Sequence, residues 1–523
     1  MDVSGTRLGR YAIVALAAIL VLGLALRLRG IHDPILDHPG WRQGDTAAIA
    51  RNFATLDFNP FHPQTDYNGP PPNYVELELQ IVPWLAALGY KLFGVHEIFG
   101  RLISIVFSLG TVAVLYAFAR WMFASRAAGL VAALAFALYP GSTYYGRTFM
   151  PDTTMTFFLT AALFASARWA YDDDARFGRR FVLAVALTAA ALLAKPVAIA
   201  GLVPIAAMLV ARRGAGTLRS GATYAFFAAA LAPYLVYDAY VSSIAEWHWA
   251  SGITKLHVLP SLRAAFTSWP AFAAKFGDFG GAYQLLASTM LGKYGVSLAL
   301  AAIVLTAIWR LPMRSRALLW AWLAGALAYA YVVVTVERVD YYLYAFLPLA
   351  ALWTGGLAEA FRRAFPTNAR RIATVVAAAI AIGAIVDAHA AVAPYYRYKK
   401  NVYREAKALD ATLAPGAIIV MGHYDPSVMY YINRKGWEED PYAWTPVDEQ
   451  SAIRKGARYF VAVERRRLER NVELHAWLQR FPVRDAAGAW PVYQTDSAKL
   501  LPGAEARWKA FRRAEKAGTL PPA

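Results

Sequence analysis

Apolar stretches long enough to cross a bilayer recur along almost the whole chain, and they leave few folds open to it. They fall at about 11–28, 101–119, 127–146, 153–170, 181–194, 197–211, 222–241, 283–309, 317–335, 343–361 and 372–391. In hydrocarbon every backbone N–H and C=O must be satisfied within its own segment, so such stretches become helices. The spacing predicts a mainly α, polytopic transmembrane bundle of about eleven spans. The 181–194 and 197–211 runs are short and meet at Lys195-Pro196. The first run lacks a small-residue cleavage site and reads as a retained span rather than a signal peptide.

Composition agrees with that class. The chain is 58% hydrophobic yet carries a formal net charge of +18. A nucleic-acid reader of this charge needs basic faces on soluble domains, whereas most arginines here sit in short loops between apolar runs. No nucleic-acid partner is expected. Cysteine is absent, which excludes a disulfide framework, a thiolate zinc site and a cysteine nucleophile.

The arginines also orient the chain. One alternating set of loops holds Arg7 and Arg10, Arg120 and Arg126, Arg176 to Arg180, Arg212 to Arg219, Arg310 to Arg316, and Arg362 to Arg371. The opposite short loops hold only Arg147, Lys195, Lys255, Arg263, Lys275 and Arg338. Basic loops stay in the cytoplasm, so the N-terminus is expected inside. An odd number of crossings then puts the C-terminus outside. The expected organisation is a membrane domain over 1–391 and a soluble outer-face α/β domain over 392–523. Residues 29–100 form a first outer loop with two interfacial helices, one after Asp45 and one over about 77–93. In the C-terminal region, 416–421, 459–463 and 491–495 have strand patterns, and the tail from about Pro502 is charged.

Ionisable residues gather at the outer ends of the spans. The first outer loop opens with His38-Pro39-Gly40-Trp41-Arg42-Gln43-Gly44-Asp45 and continues to Asp66, Glu76 and Glu78. Later loops add Arg147 and Asp152, Lys195, Glu246 and His248, and Arg338, Asp340, Tyr341 and Tyr342. Ionisable groups at membrane depth are costly and usually retained for a task. Arginine and lysine can clamp a phosphate, and a carboxylate can take a proton from a hydroxyl. The alternative for Arg147 is snorkelling to the interface. The alternative for the whole set is a group of solvated loop charges. His423, Tyr424 and Asp425 follow the first C-terminal strand, at a loop suited to binding or to an ordinary turn.

In this order, the motifs resemble those of the GT-C integral membrane glycosyltransferases that use polyprenyl-phosphate sugars, relatives of the protein O-mannosyltransferases and aminoarabinose transferases. The resemblance rests on Asp45 and its following helix, and on the Pro70-Pro71-Pro72 break with Lys91-Leu92-Phe93-Gly94 and Arg101. It rests also on Tyr139-Pro140 followed by Arg147 and Met150-Pro151-Asp152, on Lys195-Pro196, and on Tyr341-Tyr342-Leu343 with Pro348. The chain departs from the pattern in two places. Asp45 is followed by Thr46 rather than a second acid, and Asn68-Gly69 replaces a lysine before the proline run.

The resemblance implies a glycosyltransferase of the bacterial inner membrane, with the C-terminal domain in the periplasm. Its donor would be a polyprenyl-phosphate-linked sugar, its acceptor a hydroxyl on a lipid, glycan or protein, and membrane lipids would surround it. Asp45 is the expected base in an inverting transfer, with Asp152 as second choice. The donor phosphate is expected at Arg42, Arg147, Lys195 or Arg338. Substrate contacts are expected from Trp41, Gln43, Glu76, Glu78, Glu246, His248, Asp340, Tyr341 and Tyr342. The resemblance fixes no cofactor; a divalent cation is one option, with Glu76, Glu78 and His248 as candidate ligands. The competing class is a lipid or polyprenyl-sugar transporter, which would place ionisable residues in mid-helix along a path to both faces.

Overall fold

A computed structural model describes residues 3–172, 176–308, 313–364, 382–383, 386–387, 389–486, 490–496 and 499–517. Its helices begin with α1 (Val3–Arg27), α2 (Gly40–Thr55), α3 (Ile81–Phe93), α4 (Ile98–Phe123) and α5 (Arg126–Leu138). They continue with α6 (Pro140–Tyr145), α7 (Asp152–Asp172), α8 (Arg179–Ala194), α9 (Leu202–Arg213) and α10 (Gly221–Ile244). Among the described residues six helices are long and apolar enough to cross a membrane, or seven if one bent pair counts as a single span.

This is fewer than the eleven expected, and the differences have local causes. The 127–146 run is broken, because Pro140 lacks a backbone N–H and Tyr139 before it leaves the helical region at ψ 134°. The 283–309 run is split into Trp269–Met290 and Gly292–Ile308, bent by 114°. Gly292 makes that bend at φ +71°, a conformation that costs glycine nothing. Runs 153–170 and 181–194 form α7 and α8, which pack side by side. The expected span at 372–391 lies largely outside the described residues, as do Arg310, Arg370 and Arg371.

Bulky side chains such as Phe118, Phe123, Trp169, Tyr344 and Trp353 fill the bundle interior. Buried Arg27 ties the end of α1 to its neighbours, donating to the Ser108 hydroxyl at 2.9 Å, the Ser142 hydroxyl at 2.7 Å and the Ala137 carbonyl at 3.2 Å.

Past the bundle, five strands form one mixed sheet: β3 (Ile418–Met421), β4 (Lys435–Glu438), β5 (Ala457–Val461), β6 (Val483–Ala486) and β7 (Trp490–Gln494). Their order is β4-β3-β5-β7-β6, with β4, β3 and β5 parallel and β7 and β6 antiparallel. Two short segments, β1 (Val75–Glu76) and β2 (Trp247–His248), pair in parallel elsewhere.

The sheet is seated on the first long loop, and this positions the site. The Gly69 N–H donates to the Gly436 carbonyl at 2.7 Å, and the Gly436 N–H donates to the Asp66 carbonyl at 3.0 Å. Lys435 Nζ reaches both Asp66 and Asn52 at 2.5 Å. On α2, a Cβ at Gly44 would stand 2.4 Å from the Ser427 backbone nitrogen, so only glycine allows this approach. Helix α2 is therefore enclosed between α3 and the helix Pro426–Ile432, with Arg42 to Ala50 all buried. The expected surface-lying helix after Asp45 is corrected to a buried one. At 13 residues, α3 is about 20 Å long, too short to span.

Candidate active site at the start of helix α2

Two carboxylates anchor the site. Asp45 lies one turn beyond Arg42 on α2, so both side chains share a face. Asp45 is only 3% exposed, and its Oδ1 has no hydrogen-bond partner among the described residues. The Tyr67 phenol hydrogen-bonds to the same carboxylate. Burial pushes the Asp45 carboxyl up to about 7, against the pull of Arg42 and the Tyr67 hydrogen bond and with help from nearby Asp425 and Asp66. Arg42 itself forms a buried ion pair with Glu78.

The second carboxylate, Asp152, opens α7. It accepts from Lys195 Nζ at 2.7 Å, and its Oδ2 has no partner among the described residues. Lys195 caps α8 before Pro196, and its ammonium lies about 5.1 Å and 5.0 Å from the ring centres of Tyr341 and Tyr342. Arg42 is within electrostatic reach of Asp45, Asp152 and Tyr341, so it links the two centres. A carboxyl that exchanges its proton near neutrality beside buried cations can take a proton from a hydroxyl while the cations hold an anion.

Neighbouring Asp66 shows the opposite balance. Burial pushes its carboxyl up, but Arg51 and Lys435 outweigh that and hold it at about 2. It stays ionised and fastens the sheet to the loop.

The comparisons fit this architecture. The family model for dolichyl-phosphate-mannose-protein mannosyltransferase matches residues 80–237. A protein of Aquifex aeolicus (strain VF5) is 33% identical over 81 residues, which is 16% of this chain and 19% of that relative. The chain therefore spans about a fifth of the length of this curated relative. ArnT from Cupriavidus metallidurans, bound to undecaprenyl phosphate, superposes with a TM-score of 0.61 at 15% identity, covering 94% of this chain and 99% of ArnT. Its apo state gives 0.63 at 16% identity, covering 95% and 100%. The archaeal oligosaccharyltransferase AglB from Archaeoglobus fulgidus gives 0.52 at 12% identity, covering 94% and 75%. The chain has the GT-C fold.

Within this GT-C fold the sequence-expected residues separate into groups. Asp45, Arg42 and Glu78 come together, as do Asp152, Lys195, Tyr341 and Tyr342. Trp41 packs near Tyr341, with ring centres 6.3 Å apart. Arg147 does not face this cluster. It is fully buried, ion-paired to Asp37 and bonded to the Gly30 carbonyl at 3.2 Å. Arg101 holds the same Asp37 at 3.2 Å, and Gln43 donates to it at 2.8 Å. Arg147 and Gln43 thus hold the loop before α2 through Asp37. Arg147 and Gln43, expected at the phosphate and the substrate, are held here by Asp37, while the Arg147 Nε has no hydrogen-bond partner among the described residues.

Arg338 is exposed and paired with Asp278 at 2.9 Å. Asp340 accepts from the Tyr145 hydroxyl at 2.6 Å and the Tyr395 hydroxyl at 2.5 Å, with His38 at 3.4 Å, and so joins loops rather than lying open. Glu246 is exposed, and its N–H donates to the Tyr74 carbonyl at 3.0 Å. The metal candidates do not converge. Glu76 accepts from the Ser251 N–H and hydroxyl and lies 3.6 Å from His248, while Glu78 is held by Arg42. No group of three or more metal-capable side chains occurs among the described residues.

Sequence reasoning missed Asp37, Tyr67 and Glu438. Asp37 directly precedes the His38–Asp45 stretch, and Tyr67 adjoins Asp66, so proximity to marked residues was their only signal. Glu438 comes from the sheet, well above the usual carboxyl range through burial, with Asp45 and Asp425 beside it.

Proposed function

We propose that this protein moves a sugar from a polyprenyl-phosphate donor to a hydroxyl acceptor, at the end of the bundle that carries Asp45. The observation that carries the reading is Asp45 itself, an enclosed carboxylate one turn from Arg42, whose Oδ1 has no hydrogen-bond partner among the described residues and whose carboxyl is pushed up to about 7. The acceptor oxygen attacks the anomeric carbon and its proton passes to Asp45. The bond from that carbon to the phosphate oxygen breaks with inversion, and the polyprenyl phosphate leaves. Arg42 and Lys195 hold the departing phosphate, and Asp152 orients Lys195 through their 2.7 Å contact. We assign no step to a metal ion: Glu76 lies 3.6 Å from His248, but Glu78 is held by Arg42 instead of joining them.

Three features support the reading: the GT-C fold, the family model over 80–237, and the undecaprenyl phosphate bound by ArnT of the same fold. The site is assigned to the periplasmic face of a bacterial inner membrane, with the N-terminus in the cytoplasm.

Purified protein reconstituted in liposomes with radiolabelled undecaprenyl-phosphate sugar tests this. Release or transfer of the sugar is expected, and Asp45→Asn should reduce it by ~10²–10⁴-fold, the usual loss of a general base. Near-normal turnover by that variant would remove Asp45 from the chemistry. Passage of intact donor between leaflets without sugar release would favour a transporter instead.

A further inference from the structure

The parallel part of the sheet has β3 between β4 and β5. From β3 the chain departs to one side, into β4; from β5 it departs to the other, into β6 and β7. Where connections diverge in this way, a crevice opens at the carboxyl ends of the strands, the usual ligand position in open α/β sheets. A cavity of about 280 Å³ lies there, lined by His423, Tyr424, Asp440, Pro441, Glu464 and Arg467. The loops around it are fixed by backbone bonds. The Gly422 N–H donates to the Val461 carbonyl at 2.9 Å, and the Glu464 N–H donates to the Gly422 carbonyl at 3.0 Å. The Glu439 N–H donates to the Met421 carbonyl at 3.0 Å.

The lining selects a ligand class. Arg467 is ion-paired with Asp440, its Nε donating at 2.8 Å and a second arm also engaged, so that edge of the guanidinium is neutralised by a carboxylate. Asp425, Glu438, Glu439, Asp440 and Glu464 together line the region with acidic oxygens, and burial pushes Glu438 and Glu439 up so that they can also donate, which offers hydrogen bonds to hydroxyls rather than free cations to an anion. Carboxylates accept from hydroxyls, and His423, 3.2 Å from Glu464, adds an imidazole to the same wall. Tyr424 stands at the mouth, 69% exposed, and offers a flat apolar face with a polar tip. Hydroxyl-accepting carboxylates beside an open aromatic face suit a neutral or amino-bearing sugar ring.

The crevice also communicates with the α2 site. Tyr424 is within electrostatic reach of both Glu438 and Asp45. Asp425 Oδ2 approaches Gly40 of α2, 3.7 Å from where a Cβ would stand, and Ser427 abuts Gly44 next to Asp45. The Glu438 Oε2 between them is buried without a hydrogen-bond partner among the described residues.

We infer that this crevice is a saccharide-binding subsite that seats a glycan acceptor beside Asp45. The word acceptor rests on the transferase reading, whereas the binding does not. Saturation-transfer NMR on the full chain in detergent, with maltotetraose, cellotetraose, mannotetraose and chitotetraose as probes, tests it. At least one tetrasaccharide should bind at millimolar concentration. Tyr424→Ala and Glu464→Gln should each weaken that binding about tenfold, while Tyr424→Phe retains it. Both positions are solvent-facing, so melting temperatures should stay at the wild-type value and confirm intact folding. Failure of all four sugars to bind, binding of inorganic tripolyphosphate in their place, or unchanged binding in both variants would overturn the subsite. Donor hydrolysis measured on the same preparations separates the two ideas: saccharide binding without any donor turnover defeats the transferase reading and leaves the subsite standing.

Discussion

Asp45 and Asp66 are both buried acids of the same region, yet their protons behave oppositely. Asp66 meets two cations and stays ionised, whereas Asp45 shares Arg42 with Glu78 and sits near Asp425, so it holds its proton up to about 7. A base must be ionised to act, so transfer should rise with pH through about 7 and level off above it. The Tyr67 hydrogen bond favours the charged carboxylate, and its removal must raise the carboxyl further. In Tyr67→Phe the ascending limb of the pH–rate profile should therefore move to higher pH, by about one unit. A limb that stays put or moves down would separate Tyr67 from the titrating group. Asp45 and Arg42 were legible in the sequence because a polar cluster beside an apolar run is conspicuous. The contacts of Arg147 and Gln43 were not. Their partner Asp37 is a single acid whose importance comes only from two arginines meeting it in space.

Elements were legible where burial writes a pattern and illegible where geometry bends it. The central strands β3, β5 and β7 fall on the apolar stretches at 416–421, 459–463 and 491–495. The edge strands β4 and β6, Lys435–Glu438 and Val483–Ala486, carry charges and left no such pattern; those of β4 are taken up by the loop and the α2 site, Lys435 by Asp66 and Glu438 beside Asp45. Similarly, hydropathy records that 283–309 is apolar but not that Gly292 turns the chain there. The seam between α2 and the helix Pro426–Ile432 depends on the same kind of hidden detail, the missing Cβ of Gly44. Gly44→Ala should force the two helices apart, lowering the melting temperature and costing about 1–3 kcal/mol. Turnover should fall with it, since Asp45 is the next residue. Gly252→Ala is the control, because a Cβ there meets nothing within 4 Å. Equal melting temperatures for the two variants would show that the seam tolerates the methyl group.

On the scale of the whole molecule, the sheet and two of the basic loops, those of Arg120–Arg126 and Arg212–Arg219, occupy opposite ends of the bundle. Arg101 near the start of α4 bonds to the Gly30 and Asp33 carbonyls of the loop below the sheet, each at 2.6 Å. Helix α4 runs 26 residues from that end, about 39 Å at 1.5 Å per residue, and so delivers Arg120 and Arg126 to the far end. The 24-residue segment Pro196–Arg219 leaves Lys195 at the site and carries Arg212, Arg213 and Arg219 away in the same way. Basic residues are held on the cytoplasmic side, so the sheet and Asp45 should face out. The absence of cysteine makes this directly measurable, because one introduced thiol is the only one in the chain. Val447, beyond the sheet's β4, and Leu218, in the arginine-rich loop, are each 69% exposed. In intact spheroplasts Val447→Cys should react with a membrane-impermeant maleimide, and Leu218→Cys should react only after permeabilisation. The reverse pattern would put Asp45 in the cytoplasm, where a donor presented on the outer leaflet could not reach it, and the proposed periplasmic transfer would fail with it.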